Sequence, residues 1–245
     1  MENIEAYPKY EFSTFSEEMA RKAFRLRPQL KDEDYLTEWL KRSKTQVITE
    51  DEQKLINRLH RKLNLFVRSW NEQELKERFI SHIIELVDFD LYDLEVTSFS
   101  ERPMQVIYNK SVVQGKVEWM VANGLFEPEQ SFFFIHEYKK EQDSSNDPVG
   151  QLLATLFAAQ VLNSQTPKPT LFNPSPSSFK DVPLYGIYII GRMWFFVRLK
   201  EDKYYISDAY IATEMEDLQT IVKMLKAQKE MIIELVEKIK SLNKQ

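Results

Sequence analysis

The sequence predicts an α/β protein, with a central mixed β-sheet flanked by helices. Three observations carry that expectation. Apolar residues recur at three- and four-residue spacing over Leu75–Val87 and again over Leu218–Leu242, the period of helices packed on one side. Short, strongly apolar runs such as Phe132–Ile135 lie between them and have strand composition. The order of elements is helix, three or four strands, helix, two strands, which suits one sheet with helices on its faces.

Along the chain, residues 15–45 read as helical, with basic patches at Arg21–Lys22, Arg25–Arg27 and Lys41–Lys44. A second helix is expected over Asp51–Leu65, where Leu55, Leu59 and Leu63 share a stripe. Asn71 is a good N-cap for a third, with Glu72 and Glu74 in its first turn and an apolar stripe of Leu75, Phe79, Ile80, Ile83, Ile84 and Val87. Extended runs follow at Leu94–Ser98, Met104–Asn109, Val112–Ala122 and Phe132–Lys140, with turns at Gly124, Pro128 and Gln142–Asp147. Asp147–Pro148 opens a helix whose body, Gln151–Leu162, is apolar enough to be buried. Residues 163–183 hold several prolines and serines and read as a long loop. Tyr185–Leu199 and Tyr204–Ala209 are expected strands joined by a turn at Glu201–Lys203, and Thr213 is the expected cap of a last helix running to about Leu242.

Composition narrows the chemistry. The 245 residues are 43% hydrophobic, ample for a sizeable core, and there is no cysteine, which excludes disulfides, thiolate metal sites and cysteine nucleophiles. The three histidines, His60, His82 and His136, are scattered, so a resident metal would be held mainly by oxygen; that favours magnesium or manganese. Met1–Ser16 is polar, with no apolar run of a signal peptide, and no stretch is long enough to span a membrane, which predicts a soluble, cytoplasmic protein. The net charge of −5 argues against an extended nucleic-acid surface, but the acidic excess sits in residues 71–140, where a carboxylate site would put it.

The most informative segment is Phe132-Phe-Phe-Ile-His-Glu-Tyr-Lys-Lys140, an apolar strand that ends in charge. Alternation places Glu137 and Lys139 on one side with Phe133 and Ile135, with His136, Tyr138 and Lys140 on the other. In the preceding strand Glu118 shares a face with Lys116 and Met120, opposite Val117, Trp119 and Val121. If the strands are neighbours, Glu118 and Glu137 converge on one cation.

This pattern resembles the PD-(D/E)XK, or restriction-endonuclease-like, nuclease superfamily: an acidic residue on one strand, Asp/Glu-x-Lys on the next and a Gln in the following helix. The resemblance covers roughly residues 71–198. It implies a metal-dependent hydrolase of DNA phosphodiesters, with RNA as a further substrate class, in which Glu118 and Glu137 bind Mg²⁺ or Mn²⁺, Lys139 assists the attacking water and Gln151 positions substrate or water. A carboxylate from the helix before the strands belongs to the pattern; Glu72, Glu74 and Glu77 are the candidates, with Glu77 nearest the helix middle and so the expected third metal ligand. The segments Glu137-Tyr-Lys139, Asp147-Pro-Val-Gly-Gln151 and Tyr185-Gly-Ile-Tyr-Ile-Ile-Gly-Arg-Met-Trp-Phe195 also resemble an uncharacterised bacterial group in that superfamily. One departure is visible: the first acidic position, usually Asp, is Glu118. Three units are expected, a helical N-terminal extension (1–70), the nuclease-like core (71–212) and a C-terminal helix (213–245) that packs on the core or forms a homodimer. A catalytically inactive module that binds nucleic acid or protein is the alternative.

Overall fold

The computed structural model describes residues 6–29, 36–139, 147–165 and 182–242. Among the described residues, nine strands form one mixed sheet: β1 (Lys9–Glu11), β2 (Arg27–Pro28), β3 (Val96–Tyr108), β4 (Ser111–Asn123), β5 (Glu129–Lys139), β6 (Leu184–Ile190), β7 (Met193–Lys200), β8 (Lys203–Ile206) and β9 (Tyr210–Ile211). The path runs β1-β4-β5-β6-β7-β8-β2, with β3 along the other edge of β4 and β9 on β7. The ladders β3–β4, β4–β5, β6–β7 and β7–β8 are antiparallel, whereas β5 and β6 run parallel, joined through helix α6 (Pro148–Ser164).

Two cores result, one on each face of the sheet. Trp39, Ile56, Phe79, Phe134, Trp194 and Leu225 belong to the first, under helices α2 (Thr37–Thr45), α3 (Glu50–Phe66), α4 (Glu72–Leu75), α5 (Ser81–Val87) and α7 (Met215–Leu242). Phe24, Val117, Ile135, Leu152 and Leu156 belong to the second, under α1 (Glu17–Phe24) and α6. Most of α6 is buried, as its largely apolar body requires. Among the described residues, no helix is long and apolar enough to cross a membrane.

Several sequence expectations change. Residues 15–45 are not one helix. Arg25 adopts the left-handed conformation (φ 57°) and ends α1, after which Arg27–Pro28 pairs with β8. The N-terminal segment is therefore built into the sheet, through β1 on β4 and β2 on β8. The two runs 94–98 and 104–109 are one strand, β3, interrupted only at Glu101, a non-glycine residue at φ 54°. Tyr185–Leu199 is a hairpin, since Gly191 (φ 57°) turns the chain between β6 and β7. Thr213 does not cap α7, which starts at Met215; its carbonyl accepts a hydrogen bond from His60 Nε2 at 2.8 Å. The proline-rich loop falls mostly on 166–181, and Lys140 and the 142–146 turn also lie outside the described residues.

The helix expected from Asn71 is present with a reciprocal cap: Glu74 N–H donates to Asn71 Oδ1 (2.8 Å) and Asn71 N–H to Glu74 Oε2 (3.2 Å). Between α4 and α5 the chain makes one π-turn, Lys76–Ile80, in which Ser81 N–H reaches back five residues to Lys76 O. Both Phe79 and Ile80, adjacent in this turn, are fully buried.

Candidate active site

β5 carries the polar residues most deeply buried at the end of the sheet. Its aromatic and branched side chains favour a strand that is covered on both faces. Phe134 and Tyr138 belong to the first core, and the His136 ring packs on Phe134 and Tyr138, as period two requires from Phe134 onward. Phe133, expected on the Glu137 side with Ile135, packs in the first core instead, because the β4–β5 ladder is irregular there: Val121 pairs with Phe134 and Ala122 with Phe132. Ile135 belongs to the second, and Glu137 follows it toward α6. The β4–β5 ladder pairs Met120 with Ile135 and Trp119 with His136, where it ends, so Glu118 and Glu137 each lie one residue beyond its last pair.

Glu137 is 3% exposed, and both of its carboxylate oxygens are occupied. Lys139 Nζ donates to Oε1 at 3.0 Å and Gln151 Nε2 to Oε2 at 2.8 Å. Gln151 is delivered by the start of α6. Asp147 caps that helix, accepting from Val149 and Gly150 N–H, and also accepts from Glu17 N–H of α1 at 2.7 Å. Gly150 lies so close to α1 that a Cβ there would sit 2.2 Å from the Ser16 carbonyl carbon. Within Asp147-Pro-Val-Gly-Gln151, Asp147 caps the helix, Pro148 starts it, Gly150 permits the close approach and Gln151 reaches Glu137.

Burial pushes the Glu137 carboxyl up to about 8; Lys139 opposes this, and the charges of Glu118 and Glu72 add to it. One ammonium does not offset the lost hydration. Burial also works against the Lys139 ammonium, but Glu137, Glu72 and Glu118 outweigh it and hold its pKa above the ordinary lysine value. Lys139 is therefore a cation and a donor at neutral pH, not a base. Gln151 Oε1 is buried without a hydrogen-bond partner among the described residues.

Glu118 does not sit as the sequence suggests. Val117 packs in the second core with Met120, while Trp119 packs in the first, so strict alternation breaks across Glu118. The break coincides with Glu101, directly opposite on β3, where the ladder omits the Glu101–Glu118 pair. Both carboxylates receive Lys76: its Nζ lies 2.7 Å from Glu101 Oε1 and 3.1 Å from Glu118 Oε2, and 5.8 Å from the centre of the Tyr138 ring. Burial raises the Glu118 carboxyl, with Lys76 opposing.

Glu77 is exposed and accepts from Gln73 at 2.7 Å, so it does not join the cluster. The helix carboxylate on the site side is Glu72, with Oε2 3.9 Å from Lys139 Nζ. Helix phase explains the difference, since residues five apart lie about 140° apart around a helix of 3.6 residues per turn and so face different sides. Among the described residues, no group of three or more His, Asp or Glu side chains is disposed to hold a metal ion, so the trio Glu118, Glu137 and Glu77 does not converge. His136 is fully buried, which pushes its pKa down to about 3; its Nδ1 is 3.2 Å from the Tyr138 hydroxyl and its ring 4.4 Å from that of Trp119, a packing role. Sequence reasoning misses Lys76 and Glu101 because neither belongs to a spacing pattern: one follows a helix cap, the other interrupts a strand.

A cleft of ≈ 460 Å³ opens beside this cluster, lined by Lys76, Trp119 and Tyr138 together with Asp88, Asp90 and Ser98. No protein-family model matches the chain, and no curated protein matches it either.

Proposed function

We propose that the chain is a metal-dependent phosphodiesterase acting on DNA, with Glu137, Lys139 and Gln151 at its centre and Glu118 as the second carboxylate. The observation that carries this reading is the buried Glu137, held by both Lys139 and Gln151 yet left with a carboxyl pKa of about 8. The order of strand, strand and helix that brings these residues together is the order the PD-(D/E)XK resemblance implies, and it supports a restriction-endonuclease-like core.

The donor set suits an oxygen-preferring dication. Glu137 and Glu118 are carboxylates, and the buried Gln151 Oε1 lacks a partner among the described residues. Glu137 and Glu118 would hold Mg²⁺ or Mn²⁺, which would supply Lewis-acid activation of the phosphate and of the attacking water. Lys139, kept as an ammonium, offsets charge that develops on the phosphate oxygens. Gln151 fixes the Glu137 carboxylate through its amide N–H and so sets the orientation of that ligand.

The test is cleavage of plasmid or oligonucleotide DNA by the purified protein with Mg²⁺ or Mn²⁺, against EDTA. Activity in wild type that is lost in Glu137→Ala and Lys139→Ala is the expected result; indistinguishable behaviour of all three refutes hydrolysis. A second reading, a binding module without hydrolysis, is favoured by Lys76, which already neutralises Glu118. It requires DNA binding with no cleavage under any divalent metal.

A further inference from the structure

Lys76 is the charge in this region that the proposed chemistry does not use. Its side chain is 18% exposed and its ammonium lies between two carboxylates from different strands, Glu101 of β3 and Glu118 of β4. Backbone irregularities on two elements bring the three together. The π-turn begins at Lys76, whose carbonyl accepts from both the N–H and the hydroxyl of Ser81, the latter at 2.8 Å. Glu101 sits in the left-handed region, which is strained for a non-glycine residue, and interrupts the ladder opposite Glu118. The outcome is an ammonium shared between Glu101 at 2.7 Å and Glu118 at 3.1 Å.

An ammonium and a divalent cation compete for the same carboxylate lone pairs. We propose that Lys76 is a resident cation that holds Glu118 against Glu101 and is displaced from it when divalent metal binds. The inference rests on the reading of Glu118 as a metal ligand. Its physical content is a competition: the chain satisfies Glu118 without metal, which prevents an unpaired carboxylate at the end of the sheet, and metal must overcome that pairing. The Lys76 stem has somewhere to go, since the ≈ 460 Å³ cleft lined by Lys76 and Tyr138 adjoins it, with Glu85, Asp88 and Asp90 offering carboxylates for the released ammonium.

Calorimetric titration of Mn²⁺ into wild type and Lys76→Met tests the competition without reference to turnover. Methionine keeps the unbranched apolar stem of lysine, one atom shorter, and removes the charge. Tighter Mn²⁺ binding in Lys76→Met, by about tenfold for a competition of roughly 1.4 kcal/mol, is the expected result. Equal or weaker binding, or no Mn²⁺ binding in either protein, overturns the proposal. Wild type alone gives an independent readout that does not depend on the variant folding. Acylation of Lys76 by an amine-reactive reagent, followed by mass spectrometry, should speed up several-fold when Mn²⁺ is added, while the exposed Lys54 stays constant. An unchanged Lys76 rate overturns the proposal. DNA cleavage is scored separately. Tighter metal binding in Lys76→Met with no cleavage by any form leaves the displacement standing and removes the hydrolase reading. Cleavage by wild type with unchanged metal affinity in Lys76→Met does the reverse.

Discussion

Gln151 Nε2 donates to Glu137 Oε2 at 2.8 Å across the packing of α6 on β5, and both side chains are more than nine-tenths buried. The bond satisfies the carboxylate more than the acid, so its contribution depends on the protonation of Glu137. Gln151→Leu keeps the volume and removes the donor. The expected loss is about 1–3 kcal/mol when Glu137 is ionised and less when it is protonated. Urea unfolding at pH 6 and pH 9 checks this: a penalty that is the same at both values would show that the amide is only filling space.

The pH dependence of wild type follows from the same carboxyl. Its folded pKa is raised from the ordinary 4.5 to about 8, mainly by burial. Between those values the folded state binds more protons than the unfolded chain, so stability falls as pH rises. This contribution is fully present below about pH 4.5, lost through pH 8 and level above it, with a slope of at most about 1.4 kcal/mol per unit. Glu137→Gln should flatten the decline and be more stable than wild type at pH 8.5. An unaltered slope in Glu137→Gln would assign the dependence to other groups.

Gly150→Ala is expected to be among the most damaging single-methyl additions in the chain. The new Cβ meets backbone, 2.2 Å from Ser16 C and 2.3 Å from Phe15 O, and backbone cannot rotate aside as a side chain can. Separation of α1 from α6 would also stretch the Glu17 N–H to Asp147 bond. Thermal denaturation should show a loss of about 3 kcal/mol or more, and a change below about 0.5 kcal/mol would mean that α1 is free to move.

Much of this arrangement is legible in the sequence, and the reasons are local. The phase of Phe134–Lys139 puts Glu137 and His136 on opposite faces because a regularly paired strand keeps its period of two, whereas Phe133, at the irregularity of the β4–β5 ladder, leaves the face that spacing gives it. The Asp147–Pro148 helix start is legible because caps are written in adjacent residues. Glu118 departs from its expected face because its strand loses that period opposite Glu101, a left-handed residue with no glycine to announce it. Glu77 is favoured over Glu72 only by its place near the helix middle, whereas facing the site is decided by which side of the helix meets β5, a tertiary contact that position within the helix does not show. Pairings between distant segments, such as β1 on β4, leave no trace in spacing.

Under the proposed hydrolase reading, the choice between Glu72 and Glu77 has a direct consequence for activity. Glu72→Gln removes a charge 3.9 Å from Lys139 and one that helps to raise the Glu137 carboxyl. It should alter the pH profile of DNA cleavage, shifting its acidic limb downward. Glu77→Gln removes an exposed group that touches only its own helix, and cleavage should remain within about twofold of wild type. A large loss in Glu77→Gln with none in Glu72→Gln would contradict this placement of the helix.

Helix α7 bears on the last prediction. Leu218, Ile221, Val222, Met224, Leu225, Ile232 and Val236 are almost wholly buried against the first core, and Trp39 Nε1 donates to Met224 O at 2.6 Å. Full burial contributes about 1.5–3 kcal/mol for each such side chain, so the helix as a whole rivals the ~5–15 kcal/mol net stability of a domain. Truncation before Thr213 should therefore abolish cooperative unfolding and expose apolar surface to a dye such as ANS. Were α7 only a dimerising arm, the truncated chain would unfold cooperatively, with near-native stability, and light scattering would show half the mass. That outcome would contradict the docking of α7 on the sheet.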